Sequence, residues 1–94
     1  MINEQQFRTI CKDTVRDKAK IIKNNPIGSD DEILLWMLLG ILSSFLSLQE
    51  NEVPRFSGRP DATTYRKAIL FILQNRRDTD FDVEPFIDHM LEQR

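Results

Sequence analysis

Residues 33–48, ILLWMLLGILSSFLSL, decide the fold, because twelve of these sixteen residues are apolar. Ser29 and Glu32 precede them at the spacing of a capping box, so the sequence predicts a helix over 30–49, about 30 Å long. A helix that is apolar on nearly every side must be buried on nearly every side. We therefore predict an all-α fold for residues 1–94, a single-domain four-helix bundle-like structure with this nearly all-apolar second helix at its centre.

Composition sets the class of protein and its expected location. The chain has 94 residues, enough for one hydrophobic core, and a net charge of −2, which gives no strong attraction for nucleic acid or acidic membranes. Cys11 is the only cysteine, and the polar sequence MINEQQFRTICKD contains no signal-peptide core, so we expect a cytoplasmic protein. Residues 33–48 are shorter than the roughly 18–20 apolar residues of a membrane span and have acidic flanks, so we expect no membrane insertion.

Three further helices surround the second one in the prediction. Asn3 and Gln6 mark the start of a helix over 3–23, Asp61 the start of a helix over 61–75, and a last short helix covers 83–93. Lys18 falls inside the apolar arc of the first helix. Either its methylenes cover the rim of the core while its amine reaches water, or it meets an acid across a helix–helix or subunit contact.

A stripe of small residues runs along the second helix behind Trp36. Small side chains let another backbone approach closely, so this stripe predicts a tight helix crossing, either within the fold or between two copies of the chain. Each helix of a bundle buries about a third of its circumference, whereas the second and third helices are apolar over a wider arc. Four or five exposed Leu-sized side chains would forgo roughly 1.5–3 kcal/mol each.

This excess of apolar surface predicts either a homodimer or a groove for a partner's helix. We favour the homodimer, because most soluble oligomers are symmetric pairs of identical chains. The predicted dimer interface comprises the small-residue stripe with its tryptophan and the outward apolar residues of the third helix: Trp36, Gly40, Ser43, Ser44, Ser47, Leu70 and Phe71.

The sequence contains no motif that specifies a reaction, so we predict a non-catalytic protein–protein interaction or regulatory module without cofactor. Its charges are arranged in blocks, acidic over 24–54, basic over 55–77 and acidic over 78–94, which could orient a partner. The candidate contact residues lie in the loop before the third helix and in the acidic run before the fourth: Arg55, Phe56, Arg59, Asp78, Asp80, Asp82 and Glu84.

Nucleic-acid binding is the alternative function. The start of the third helix carries bases and hydroxyls, as recognition helices do, and the first helix adds a basic ridge. The residues concerned are Arg59, Thr63, Thr64, Arg66 and Lys67. Against this interpretation, the preceding connection is far longer than a helix-turn-helix turn, and Tyr65 lies on the apolar face.

Metal and catalytic sites receive little support from the sequence. The spacing of Asp78, Asp80 and Asp82 matches the start of a calcium loop, but Val83 replaces the required glycine and His89 the final glutamate. We therefore predict no metal site and expect these acids to cap and charge the last helix. An enzyme whose site is shared across a dimer, using Asp88 and His89, is a third and weaker hypothesis.

Overall fold

The computed structural model describes residues 2–22, 30–53, 55–58, 60–76 and 79–92, and these ranges contain four α-helices and no strand. The predicted all-α fold is therefore confirmed. The helices are α1 (Glu4–Ile22), α2 (Asp30–Phe45), α3 (Ala62–Arg76) and α4 (Glu84–Glu92), with a 3-10 helix at Glu50–Glu52. Three helices lie within one residue of their predicted ends where the chain is described, and only α2 is clearly shorter than predicted.

The predicted N-terminal caps of α1 and α3 are present, whereas Ser29, the predicted cap of α2, lies outside the described residues. The Asn3 side chain accepts a hydrogen bond from the Gln6 backbone N–H at 2.8 Å, and the Gln6 side chain accepts one from the Asn3 N–H at 2.9 Å. The Asp61 carboxylate accepts a bond from the Thr64 N–H at 2.8 Å and another from the Thr64 hydroxyl. These bonds satisfy backbone donors that the first turn of a helix leaves unpaired. The two bonds from Thr64 lower the pKa of Asp61, and the bond from the Thr64 backbone N–H has the larger effect.

The predicted end of α2 at Gln49 is wrong, because the helix stops at Phe45. Ser47 has φ of 52°, the left-handed conformation, and the N–H groups of Ser47 and Leu48 donate to the carbonyls of Ser44 and Ser43. This pair of bonds is a Schellman motif, which usually has glycine at the left-handed position. Since the sequence has serine there, apolar periodicity alone carried the prediction four residues too far.

The four helices pack in the order α3, α2, α1, α4, because α2 contacts α3 and α1, and α1 contacts α4. Arg66 of α3 pairs with Glu84 and Asp88 of α4 and so connects the two outer helices. The α2 helix therefore has two principal neighbours rather than a full ring of three. The side chains that are almost wholly buried in the core include Phe7, Leu34, Leu35, Leu38, Leu42, Ile69, Leu73, Ile87 and Met90.

The apolar surface of α2 is sheltered more completely than the sequence predicts. Seven residues are buried, including every leucine within the helix, and Leu46 and Leu48 just beyond it pack against the core. The excess of uncovered apolar surface predicted for α2 is therefore smaller than the sequence indicates, because α1, α3 and the turn after α2 bury its leucines. The large apolar side chains that remain exposed in the described chain are aromatic: Trp36 and Phe45 on α2 and Phe71 on α3.

Lys18 forms an ion pair between two helices. Its side chain is 9 % exposed, and its Nζ lies 3.3 Å from Oδ2 of Asp30 in the first turn of α2. Of the two interpretations of this lysine, the contact with an acid across a helix–helix interface is confirmed within the chain. The pair fixes the start of α2 against the C-terminal part of α1.

Candidate functional site

A shallow groove of about 480 Å³ runs along the outward side of α2, and we call it the Trp36 groove. Its described lining comes from α1, α2 and the residue after the 3-10 helix: Asp17, Trp36, Met37, Leu39, Gly40, Ile41, Ser43 and Val53. Trp36 is 54 % exposed, whereas the residues on the opposite side of α2 form the core. The groove therefore lies on the outer surface of α2, whose opposite side is packed in the core.

Part of the predicted dimer interface lies together in this groove. Trp36, Gly40 and Ser43 line it, and Ser44 is exposed on the same helix. A Cβ atom built on Gly40 has nothing within 4 Å among the described residues, so these residues form no tight crossing at Gly40. Ser47 lies in the turn beyond the helix end and so does not extend the stripe.

The α3 part of the predicted interface is separate from the Trp36 groove. Leu70 is half-buried and packs against the core, while Phe71 is 61 % exposed on the outer side of α3. Neither residue lines the groove as far as the chain is described. The structure thus divides the predicted interface between two surfaces.

The predicted contact residues of the loop before α3 do not form one surface. Phe56 is half-buried and packs edge-to-face on Tyr65, with ring centroids 5.4 Å apart. Arg55 is exposed, and Arg59 lies outside the described residues. Phe56 therefore covers the core at the start of α3 instead of projecting from the loop.

Acids before and within α4 have partners in the same chain. The Asp82 carboxylate accepts a hydrogen bond from the Glu84 N–H at 3.1 Å, which agrees with the expected capping of α4. Glu84 lies 3.6 Å from Arg66, Asp80 is exposed, and Asp78 is outside the described residues. Two members of the predicted acidic contact surface thus already stabilise the position of α4.

The residues of the nucleic-acid alternative are likewise divided. Arg66 donates to Asp88 and pairs with Glu84, and its hydrogen bond to the Asp88 carboxylate raises the pKa of the guanidinium. Thr64 is occupied by the Asp61 cap, whereas Thr63 and Lys67 are exposed. An arginine that already holds two carboxylates is a poor phosphate ligand, so this surface offers fewer free bases than the sequence indicates.

A second cavity, of about 490 Å³, opens between α1 and α4, and we call it the α1–α4 pocket. Its lining residues are Arg8, Cys11, Lys12, Val15, Pro85, Phe86, His89 and Met90. Helical periodicity places Cys11 and Val15 on the apolar face of α1 and Arg8 and Lys12 on its basic ridge. The sequence does not show that α4 packs where these two faces meet, and the pocket was therefore not predicted.

Aromatic contacts hold the α4 wall of this pocket in place. Phe86 packs edge-to-face on Phe7 and Phe81, with centroids 6.0 and 5.4 Å away, and the Arg8 guanidinium lies 5.3 Å from the Phe86 ring centroid. Such ring pairs and cation–π contacts favour a defined geometry as well as burial. Phe86 and Arg8 are therefore positioned together at the mouth of the pocket.

Cys11 forms part of the pocket floor as a neutral thiol. It is 7 % exposed, and desolvation by burial raises its pKa from 9.0 to about 12. Since the thiolate is the nucleophilic form, this cysteine is unreactive at neutral pH. The expectation that Cys11 is a small core residue is confirmed.

The structure does not bring Asp88 and His89 together as a catalytic pair. Asp88 faces Arg66 on α3, whereas His89 lines the α1–α4 pocket. Within the described residues no group of three or more His, Cys, Asp or Glu side chains could hold a metal ion. No described helix combines the length and hydropathy needed to cross a membrane.

The described residues define the class only broadly, as a small all-α protein with an apolar groove along α2 and a cation-lined pocket between α1 and α4. No known protein family matches the chain, and neither does any curated protein or solved structure. The function therefore has to be inferred from the surfaces described above.

Proposed function

We propose that this chain is a small, non-catalytic protein–protein interaction or regulatory module that acts as a homodimer joined at the Trp36 groove. The observation that carries the proposal is the exposed indole of Trp36 beside Gly40. Trp36 is 54 % exposed on a well-packed helix, and tryptophan is among the residues that most often dominate binding energy at protein interfaces. Two copies related by a twofold axis would each bury this side chain in one symmetric contact.

Gly40 supports a close approach by another helix. A glycine inside a helix costs roughly 0.5–1 kcal/mol relative to alanine, mainly in backbone entropy. Gly40 lies in the interior of α2, and nothing in the described chain lies within 4 Å of a Cβ at this position. In the single chain, the absence of a side chain at Gly40 allows no closer packing. A second helix that crosses α2 at this position could pack more closely because of it.

The charges around the groove favour a second copy of the chain over a charged partner. Asp17 is the charged residue among the groove's described lining, and it lies 3.3 Å from Arg16 on the same helix. Like charges facing each other across a twofold axis would repel, so a groove with little net charge suits self-association. What the dimer regulates or connects is to be identified by capture of partners from the native host.

The homodimer is tested by solution mass from 1 to 100 µM, measured by sedimentation equilibrium. We expect a mass near twice the chain's 11.1 kDa for the wild type and near 11.1 kDa for Gly40→Arg. The new side chain has open space in the single chain, so its helical circular dichroism should be unchanged while the interface is blocked. Gln74→Arg, at an exposed position of α3, is the matched control and should remain dimeric.

A monodisperse wild type at 11.1 kDa that binds no hydrophobic dye would contradict the homodimer. Phe71→Arg is a useful third variant because Phe71 is exposed on α3, away from the groove. Dissociation by Phe71→Arg with an intact Gly40→Arg dimer would move the interface to α3 and refute the assignment to the Trp36 groove.

A further inference from the structure

The α1–α4 pocket combines an apolar floor with a cationic rim. Its floor contains Cys11 and Met90, which are 7 % and 2 % exposed, together with the half-buried Val15 and Phe86. Its rim carries two cations, Arg8 and Lys12, one helical turn apart on α1. None of the described lining residues is acidic, although the whole chain has a net charge of −2.

The rim cations are available to a ligand. Lys12 is exposed and forms no ion pair within the described residues. Arg8 lies over the Phe86 ring and pairs with Glu4 at 3.6 Å. The side chains of Arg8 and Glu4 are each more than half exposed. Ion pairs this exposed are worth little, so an anion in the pocket could replace Glu4. The α4 acids Glu84 and Asp88 pair with Arg66 of α3.

We propose that the α1–α4 pocket binds an amphipathic carboxylate, a small molecule with one carboxylate and an apolar body. The apolar body would cover Val15, Phe86 and Met90, and the carboxylate would lie between Arg8 and Lys12. Guanidinium and ammonium groups are suited to carboxylate recognition, and about 490 Å³ falls within the roughly 300–1,000 Å³ of ligand pockets. This site is independent of the homodimer proposed above, because the described linings of the pocket and of the Trp36 groove share no residue.

A free molecule fits the surroundings of this pocket better than a protein segment does. The exposed neighbours of the mouth on α1 are polar or charged, among them Glu4, Gln5, Thr9 and Arg16. A docked protein segment would need an apolar surface that continues beyond the pocket, as interface cores have. The polar side chains on the α1 side of the mouth suit a small ligand that ends in a single charged group better than they suit an apolar interface.

The first test is a titration with octanoate, followed by amide chemical shifts and by calorimetry on the full chain. We expect octanoate to shift amides of α1 near Cys11 and of α4 near His89, while those beside Trp36 stay unchanged. Octan-1-ol has the same apolar body without the charge and should bind more weakly. Equal binding of the two, shifts at the Trp36 groove instead, or no binding at millimolar octanoate would each overturn the proposal.

Variants separate the rim from the floor. Arg8→Gln and Lys12→Gln should each lower the affinity for octanoate by up to about fivefold, which is the most that an exposed ion pair usually contributes. Arg16→Gln removes another exposed cation of α1, one that is absent from the described lining of the pocket, so the octanoate affinity of this variant should equal that of the wild type. If Arg16→Gln weakens binding as much as Lys12→Gln does, general attraction to α1 explains the result and the site is refuted.

Two further arms test the location and the kind of ligand. Val15→Trp should fill the cavity from a half-buried position and abolish binding while helical circular dichroism is retained; retained affinity in a folded Val15→Trp variant would overturn the assignment. A short amidated peptide containing adjacent Phe and Glu is the last probe. If this peptide shifts the pocket amides and octanoate does not, the pocket is a protein-docking site and the proposal fails.

Discussion

The Trp36 groove and the α1–α4 pocket are almost equal in volume, about 480 and 490 Å³, but differ in chemistry. Among its described lining the groove has one charged residue, Asp17, which already pairs with Arg16. The pocket has Arg8 and Lys12 at its rim and no acid among the lining residues that the structure describes. The comparison teaches that the lining, and not the size, decides which cavity suits a second copy of the chain and which suits an anion.

The two cavities also differ in their relation to the core. Trp36 at the groove is 54 % exposed, whereas Met90 at the pocket is 2 % exposed and Cys11 is 7 % exposed. Both cavities have buried residues in their lining, Leu39 at the groove and Met90 at the pocket, but of the two described linings only that of the groove carries a large exposed apolar side chain, Trp36. Substitution of Trp36 should therefore affect association, and substitution of Met90 should affect folding.

The largest expected effect comes from Met90→Ala in the floor of the pocket. Truncating a buried methionine removes packed atoms and leaves a cavity, which typically costs about 2–5 kcal/mol. Trp36→Ala, at the groove, should change the free energy of unfolding of the single chain by less than about 0.5 kcal/mol. Urea unfolding at a concentration where the chain is monomeric measures both. Equal losses in the two variants would remove the proposed distinction between surface groove and core pocket.

A smaller effect should appear in the pH dependence of stability. Burial raises the pKa of Cys11 to about 12, so the folded state keeps its proton while the unfolded thiol loses it above about pH 9. The unfolded state then binds fewer protons, and stability falls as the pH rises from 9 towards 12. At pH 10 the loss should be on the order of 1 kcal/mol.

Cys11→Ala is the control for that pH dependence. The lost side-chain packing lowers its stability equally at every pH, and its lysines and tyrosine titrate as in the wild type. The difference in free energy of unfolding between the wild type and Cys11→Ala should therefore be constant below pH 9 and shrink above it. A difference that stays constant up to pH 11 would mean that water reaches the thiol, and that the pocket floor is wetter than the structure indicates.

The sequence predicts the helices well because their start signals are local. Asn3 with Gln6, and Asp61 with Thr64, are within hydrogen-bonding distance once a single turn forms, so spacing alone identifies them. The Lys18–Asp30 pair could be anticipated only as one of two possibilities, because it depends on how two helices cross. The burial of the α2 leucines could not be predicted, because a count of apolar residues does not show how many sides of a helix are covered by its neighbours.

The candidate sites are less predictable for the same reason. Trp36 and Gly40 share a helix, so their common face follows from periodicity. The α1–α4 pocket joins residues almost eighty positions apart in sequence, such as Arg8 and Phe86, and no local signal indicates that they meet. Likewise, Arg66 reads as a free base in the sequence because its partners Glu84 and Asp88 belong to another helix.

The smallest expected effect concerns the end of α2, the helix that carries the Trp36 groove. Ser47 has φ of 52°, a conformation that costs an L-residue energy and glycine almost none. Ser47→Gly should therefore raise the free energy of unfolding by roughly 0.5 kcal/mol, the relief being partly offset by the greater entropy of glycine in the unfolded chain. Ser47→Ala, which keeps the steric cost of a Cβ, should give no such gain in urea unfolding. If Ser47→Gly is instead destabilising while Ser47→Ala is stabilising, the helix continues beyond Phe45. In that case Ser47 would return to the stripe beside Gly40, and the groove would be longer than the Trp36 groove described here.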